Sequence, residues 1–129
     1  VATKRNVKPA LVTRTALRDI RDILEWSRRK FGRAAASRYR ALLIQALRDI
    51  EADPMCVGSK ERSELVPGVR TYRVSFSRSR VAGEKVKAPQ HFILYRSIEP
   101  GVIEIGRIIR DSVDLDRHLP EGYRQESDA

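Results

Sequence analysis

The stretch "HFILYRSIEPGVIEIGRIIR", residues 91 to 110, decides the fold. Two apolar runs, 91–98 and 102–110, flank Glu99-Pro100-Gly101. Proline presets one corner of a turn and glycine supplies positive φ at the next, so the runs predict an antiparallel hairpin. Both strands end on cations: Arg96 on the first, Arg107 and Arg110 on the second. The functional question is whether this basic edge cuts a nucleic acid or holds a partner.

Outward from the hairpin, residues 69–76, "VRTYRVSF", alternate in character. Tyr72, Val74 and Phe76 fall on one side and Thr71, Arg73 and Ser75 on the other, which predicts a third strand carrying Arg70 and Arg73. The connection 77–89, "SRSRVAGEKVKAP", sets Arg78, Arg80, Lys85 and Lys87 against Glu84 alone and reads as a long, exposed, basic hairpin loop. The first half of the chain has helical period. Leu17, Ile20, Ile23, Leu24, Trp26 and Phe31 form one stripe, with Thr13 or Thr15 to cap its start and Gly32 to end it in a left-handed position. Glu25 and Arg29 form an i,i+4 pair on its solvent side. Tyr39, Leu42, Leu43, Ala46, Leu47 and Ile50 form a second stripe, stopped at Asp53-Pro54. Two helices joined this closely fold back on one another, and their stripes need a third surface. "VKPALVT" at 7–13 predicts a strand confined to a sheet edge by Pro9.

The fold expected is α+β: an N-terminal edge strand, an antiparallel helical hairpin, then an antiparallel β-meander with the helices on one face. At 129 residues the chain is a single domain. The expected body spans 1–119 with the basic loop 77–89, and the polar tail 120–129 is expected to fray.

Composition narrows the partners. Lys+Arg number 26 against 17 Asp+Glu, a net charge of +9, with a pI near 10.3. Such a surface suits nucleic acid, an anionic membrane surface or an acidic protein segment. The single cysteine, Cys56, excludes an intrachain disulfide and a thiolate metal cluster, and reads as a reduced cytosolic thiol. No run approaches the ~20 apolar residues of a membrane span. "VATKRNVKPALV" has no apolar core of a secretory signal, so a cytoplasmic, soluble chain is expected, with no membrane partner.

Chemistry-bearing patterns are sparse. His91 opens a strand, while Asp114, Asp116 and His118 lie within five residues and read as a local turn rather than a metal site. No serine sits in a nucleophile elbow and no glycine-rich loop cradles phosphate, so no catalytic residue, metal or cofactor is assigned. Trp26 reads as a core or interface anchor. What remains is Arg70, Arg73, Arg96, Arg107 and Arg110 on adjacent strands. Arginines on an open sheet face clamp phosphate or carboxylate. RNA cleavage needs more, namely a group to activate the 2′-OH and one to protonate the leaving oxygen.

The run "ALRDIRDILEWSRRKFGRAAASRYRALLIQALRDIEADP", then "ELVPGVRTYRVSF", "HFILYRSI" and "IEIGRIIRDSVDLDRHL", resembles the ParE branch of the RelE/ParE toxin superfamily over about residues 7 to 119. Its members are toxins of bacterial type II toxin–antitoxin pairs. RelE-like members are ribosome-dependent mRNA endoribonucleases that use basic residues on the sheet and a tyrosine near the C-terminus. Two of those sheet positions fall here on Ser75 and Phe92, a third basic position near Asp111 and the tyrosine near Arg117; Arg73 alone keeps a basic group. ParE-like members are described as poisons of DNA gyrase that block replication. The resemblance therefore implies a non-enzymatic toxin directed at DNA gyrase and silenced by a ParD-like antitoxin. The antitoxin's acidic segment would fold on the toxin in a hetero-oligomer. Direct nucleic-acid contact stays open, and the RelE-type nuclease is the alternative. The residues expected to contact antitoxin or target are Trp26 and Tyr39 as apolar anchors, with Arg70, Arg73, Arg96, Arg107 and Arg110.

Overall fold

The computed structural model describes residues 9–111, 115–120 and 122–123, without the side chain of Asp116. Its elements run β1 (Leu11–Val12), α1 (Arg14–Phe31), α2 (Arg33–Ala52), β2 (Ser59–Glu61), β3 (Val69–Arg73), β4 (His91–Glu99) and β5 (Val102–Arg110). A 3₁₀ segment, Val74–Arg80, follows β3, and another, Leu115–His118, follows β5. The five strands form one sheet in the order β1-β5-β4-β3-β2, antiparallel except where β1 lies parallel to β5. The α+β expectation holds: edge strand, helical hairpin, meander. The start of the predicted first strand, at 7 and 8, lies outside the described residues.

Thr13 caps α1, its hydroxyl accepting from the Ala16 N–H at 3.1 Å and donating to the Gly106 carbonyl at 3.0 Å. One side chain thus begins the helix and ties it to β5. Gly32 closes α1 and opens α2 at φ 94°, ψ 173°. That is extended backbone at positive φ, open in practice only to glycine, rather than the left-handed helical turn expected. It reverses the chain with a single residue between the helices.

α2 buries Leu42, Leu43, Ala46 and Ile50 against Tyr72, Ile93, Tyr95, Ile105 and Ile108 on one sheet face. α1 contributes Ala16 fully, with Ile20, Ile23 and Leu24 partly buried. The rest of its predicted stripe is not core. Leu17 is 47%, Trp26 39% and Phe31 60% exposed. Leu17 and Trp26 flank the arc that α2 and the sheet cover, and Phe31 sits in the last turn. The opposite sheet face is also covered. Val66, Val69 and Leu94 pack there with Tyr123, which is 1% exposed although its segment was expected to fray. Its landing place is Gly106, the residue β5 bulges out between Arg107 and Ile105. A Cβ at Gly106 would sit 2.4 Å from the Tyr123 hydroxyl and 2.6 Å from Pro120. Only a glycine lets the chain cross that close.

Two strand expectations need correction. β3 ends at Arg73, and residues 74–76 turn into the 3₁₀ segment instead of extending the strand. The cause is tertiary. The buried Ser77 hydroxyl donates to Asp49 on α2 and accepts from Tyr72 at 2.7 Å, and Arg80 bonds Asp49 at 2.8 Å. Burial pushes the Asp49 carboxyl up, but bonds from Arg80, Ser77 and Gln45 outweigh it and hold the pKa below the usual range. So the first part of the basic loop is packed on α2, with Val81 7% exposed, rather than free in solvent. β2 was not foreseen, because "SKE" carries no alternation that marks a strand.

Candidate partner-binding site

The five strand arginines do not converge. Arg73 sits opposite Phe92 on β4, whereas Arg96 sits four residues further along, opposite Val69. Four residues of strand span about 13 Å. Arg110 sits opposite His91, so strand alternation sends it to the other face from Arg73.

Each arginine then has its own partner. Arg70 donates to the Ser59 hydroxyl at 2.7 Å. Arg96 pairs with Glu104 at 3.1 Å and lies 4.0 Å over the Tyr123 ring. Arg107 holds Asp19 through two bonds of 2.8 and 3.0 Å and reaches the His118 carbonyl at 3.3 Å, joining α1, β5 and the last 3₁₀ segment. The Asp19 carboxylate also accepts from the Ile108 N–H at 2.8 Å. These are fold contacts. Arg73 pairs with Asp111 at 3.0 Å and lies 4.7 Å over Phe92. Arg110 is exposed, with a 3.2 Å bond to the Gln90 side chain and its guanidinium 5.2 Å over Trp26.

Three of the seven expected contact residues do come together: Trp26, Tyr39 and Arg110. They line a recess of about 530 Å³ between α1, the start of α2, residues 84–88 and the sheet end. Trp26 and Phe31 meet edge to face at 5.6 Å and form its apolar mouth. A smaller hollow of about 240 Å³, lined by Asp19, Asp22, Ile23 and Ile108, lies on the other side of Trp26, His91 and Arg110.

His91 is the residue that sequence reading left out. It is buried, 9% exposed, and its Nδ1 bonds the Tyr39 hydroxyl. Burial, with the Arg110 charge beside it, lowers its pKa from 6.5 to about 4, so the ring is neutral at ordinary pH. The Tyr39 hydroxyl accepts from the Gln90 N–H at 3.3 Å, and burial pushes its own pKa up. The hydroxyl keeps its proton, and the donor in the bond to Nδ1 is set by the imidazole tautomer. A signal existed: counting back from the turn at Glu99–Gly101 places His91 opposite Arg110.

Among the described residues no group of three or more His, Cys, Asp or Glu is placed to hold an ion. The Asp114–Asp116–His118 pattern lies partly outside those residues, and Leu115–His118 is a 3₁₀ turn. No helix among the described residues is long and apolar enough to cross a membrane.

The sequence pattern of a family described as "ParE toxin of type II toxin-antitoxin system, parDE" matches residues 10–115. No curated protein matches the sequence. Among solved structures the chain is similar to one described as "Chromosomal ParDE TA system from P. aeruginosa", with a TM-score of 0.60 and 19% identity. The match covers 82% of this chain and 98% of that one. At that identity the likeness speaks for the fold.

Proposed function

The chain belongs to the ParE toxin family of type II toxin–antitoxin systems, and from that premise we propose that it poisons DNA gyrase without itself catalysing a reaction. A cognate ParD-like antitoxin neutralises it by direct binding, in a hetero-oligomer in the cytoplasm. The observation that carries the non-enzymatic part is the meeting of Arg73, Phe92 and Asp111. Two of the positions where RelE-like nucleases place cations carry an aromatic ring and a carboxylate, and the carboxylate neutralises the one arginine left. There the Asp111 carboxylate opposes an anionic phosphoryl transition state. His91 lies on the opposite face of the sheet, with its Nδ1 bonded to Tyr39.

The antitoxin part of the reading is supported by the charge of +9 together with a recess that opens apolar rings beside an exposed arginine. Such a surface fits an acidic amphipathic protein segment. The test is to express the chain in bacteria without antitoxin and label DNA and protein synthesis separately. DNA synthesis is expected to fall first while translation continues. If translation collapses first, the gyrase reading is wrong and mRNA cleavage becomes the activity to assay.

A further inference from the structure

The net charge of +9 is not spread evenly over the molecule. Arg70, Arg96 and Arg107 on the strands are tied to partners, whereas the side of the helical hairpin turned away from the sheet is not neutralised in this way. On α1 the core takes Ala16, Ile20, Ile23 and Leu24. Helical period sets Arg14, Arg18, Arg21, Glu25 and Arg28 along the opposite side, and all five are exposed. On α2 the core takes Leu42, Leu43, Ala46 and Ile50, while Arg33, Arg40 and Arg48 stand exposed on the opposite side. Both helices pack on one sheet face, so the two stripes face away from it together. Because the helices run antiparallel from Gly32, Arg14 stands near the level of Arg48, and Arg21 near that of Arg40.

The fold makes little use of these cations. Glu25 is shared by Arg28 at 2.8 Å and Arg29 at 3.6 Å. The other six stripe arginines have no carboxylate partner among the described residues. Arg14 and Arg18, at i,i+4, and Arg18 and Arg21, at i,i+3, repel one another, so the stripe weakens its own helix. Of the carboxylates nearby, Asp22 lines the small hollow on the recess side and Glu51 stands in the last turn of α2.

Such a face suits a polyanion, and the neighbouring side chains decide which one. No aromatic ring stands on either stripe to stack the bases of a single strand. A membrane surface takes up an amphipathic helix by its apolar face, and both apolar faces are buried here on the sheet. A protein interface is anchored at its centre by large apolar groups, but Leu17, Trp26 and Phe31 flank the arginines rather than stand among them. A duplex backbone needs cations alone. Packed helices lie about 8–10 Å apart, so arginines splaying from the two axes can straddle the phosphate rows beside the B-DNA minor groove, about 6 Å wide. In A-form RNA that groove is wide and shallow, which sets its phosphate rows further apart.

We propose that the outer face of the helical hairpin binds the phosphate backbone of duplex DNA without reading its sequence. Arg14, Arg18 and Arg21 lie on one phosphate row, and Arg33, Arg40 and Arg48 on the other. This goes beyond the gyrase reading, which requires no DNA contact by the chain itself.

The test is fluorescence anisotropy of a labelled DNA duplex of about 20 base pairs, longer than the stripe from Arg14 to Arg28 at about 21 Å. The duplex is titrated with the full-length chain across a salt series. Affinity is expected to fall with a slope of about −4 to −5 in log K against log salt, the release due to about five phosphates. Two duplexes of unrelated sequence should bind alike. The double variant Arg18→Gln/Arg40→Gln should bind about tenfold more weakly or worse and flatten the slope by about 2. Glutamine suits an exposed helical position, so the variant keeps its fold. Lys60→Gln removes an exposed cation from β2, outside the hairpin face, and should leave affinity and slope unchanged. The proposal falls if the DNA duplex is not bound at about 50 mM salt, or if single-stranded DNA or duplex RNA binds more tightly. It falls equally if the double variant keeps the wild-type slope, or if Lys60→Gln alters affinity and slope as much as the double variant does. A chain that arrests DNA synthesis yet binds no duplex would sink this proposal and leave the gyrase reading standing.

Discussion

Two arginines at the same end of the sheet meet opposite fates. Arg73 stands opposite Phe92, and Arg110 stands opposite the neighbouring residue, His91. Because successive residues of a strand point to opposite faces, the two cations are separated by the thickness of the sheet. On one face Arg73 is neutralised by Asp111. On the other, Arg110 is exposed at the edge of a recess and carries no carboxylate partner among the described residues. Equal charge in the sequence becomes a spent contact in one place and an available one in the other. The sheet's two faces differ in the same sense: the recess face ends in a hollow, while the other is sealed by the chain's own Tyr123.

The sharpest way to break this contrast is to unseal the closed face. Tyr123→Ala removes a fully buried ring from its seat on Gly106, and is expected to cost about 4 kcal/mol in urea melts. A loss near zero would mean that the segment frays and that both faces are open.

The recess wall has a signature in pH. The folded-state pKa of His91 is depressed from 6.5 to about 4, so between those values the unfolded chain takes up a proton that the folded one refuses. Its contribution to stability is complete above pH 6.5 and is lost as pH falls toward 4, about 3 kcal/mol in all. Comparing denaturation of wild type and His91→Phe across that window isolates it, since the variant should lose that part of the slope.

Next in size is Asp19→Asn, which weakens two charge-assisted bonds to Arg107 while keeping the shape. A loss of about 2 kcal/mol is expected in the same melts. The smallest stability effects sharpen the contrast most. Arg73→Ala and Arg110→Ala remove exposed cations and should each change stability by less than about 0.5 kcal/mol. Their binding to an acidic amphipathic peptide should differ: Arg110→Ala weakens it and Arg73→Ala keeps it. Equal behaviour of the pair would erase the distinction between the faces.

Much of this was legible in advance. The hairpin 91–110, the two helical stripes and the stop at Asp53-Pro54 appear where periodicity and turn chemistry place them, because both signals are local. The site was legible only in part. Trp26, Tyr39 and Arg110 line one recess, while Arg70, Arg96 and Arg107 bond Ser59, Glu104 and Asp19. Their acidic partners lie 8 and 88 residues away for Arg96 and Arg107, and no local pattern announces such pairs.

By itself, then, the sequence determined the element order, the helical hairpin, the basic surface and the resemblance to one toxin family. These follow from periodicity, composition and short motifs, each a property of neighbouring residues. Only the tertiary structure decided which cations are available. It turned residues 74–76 out of the strand because Asp49 captures Ser77 and Arg80. It also closed one sheet face with Tyr123 over Gly106, and left Arg110 beside a neutral His91. Charge pairing and desolvation depend on distance in space, which a linear pattern does not contain.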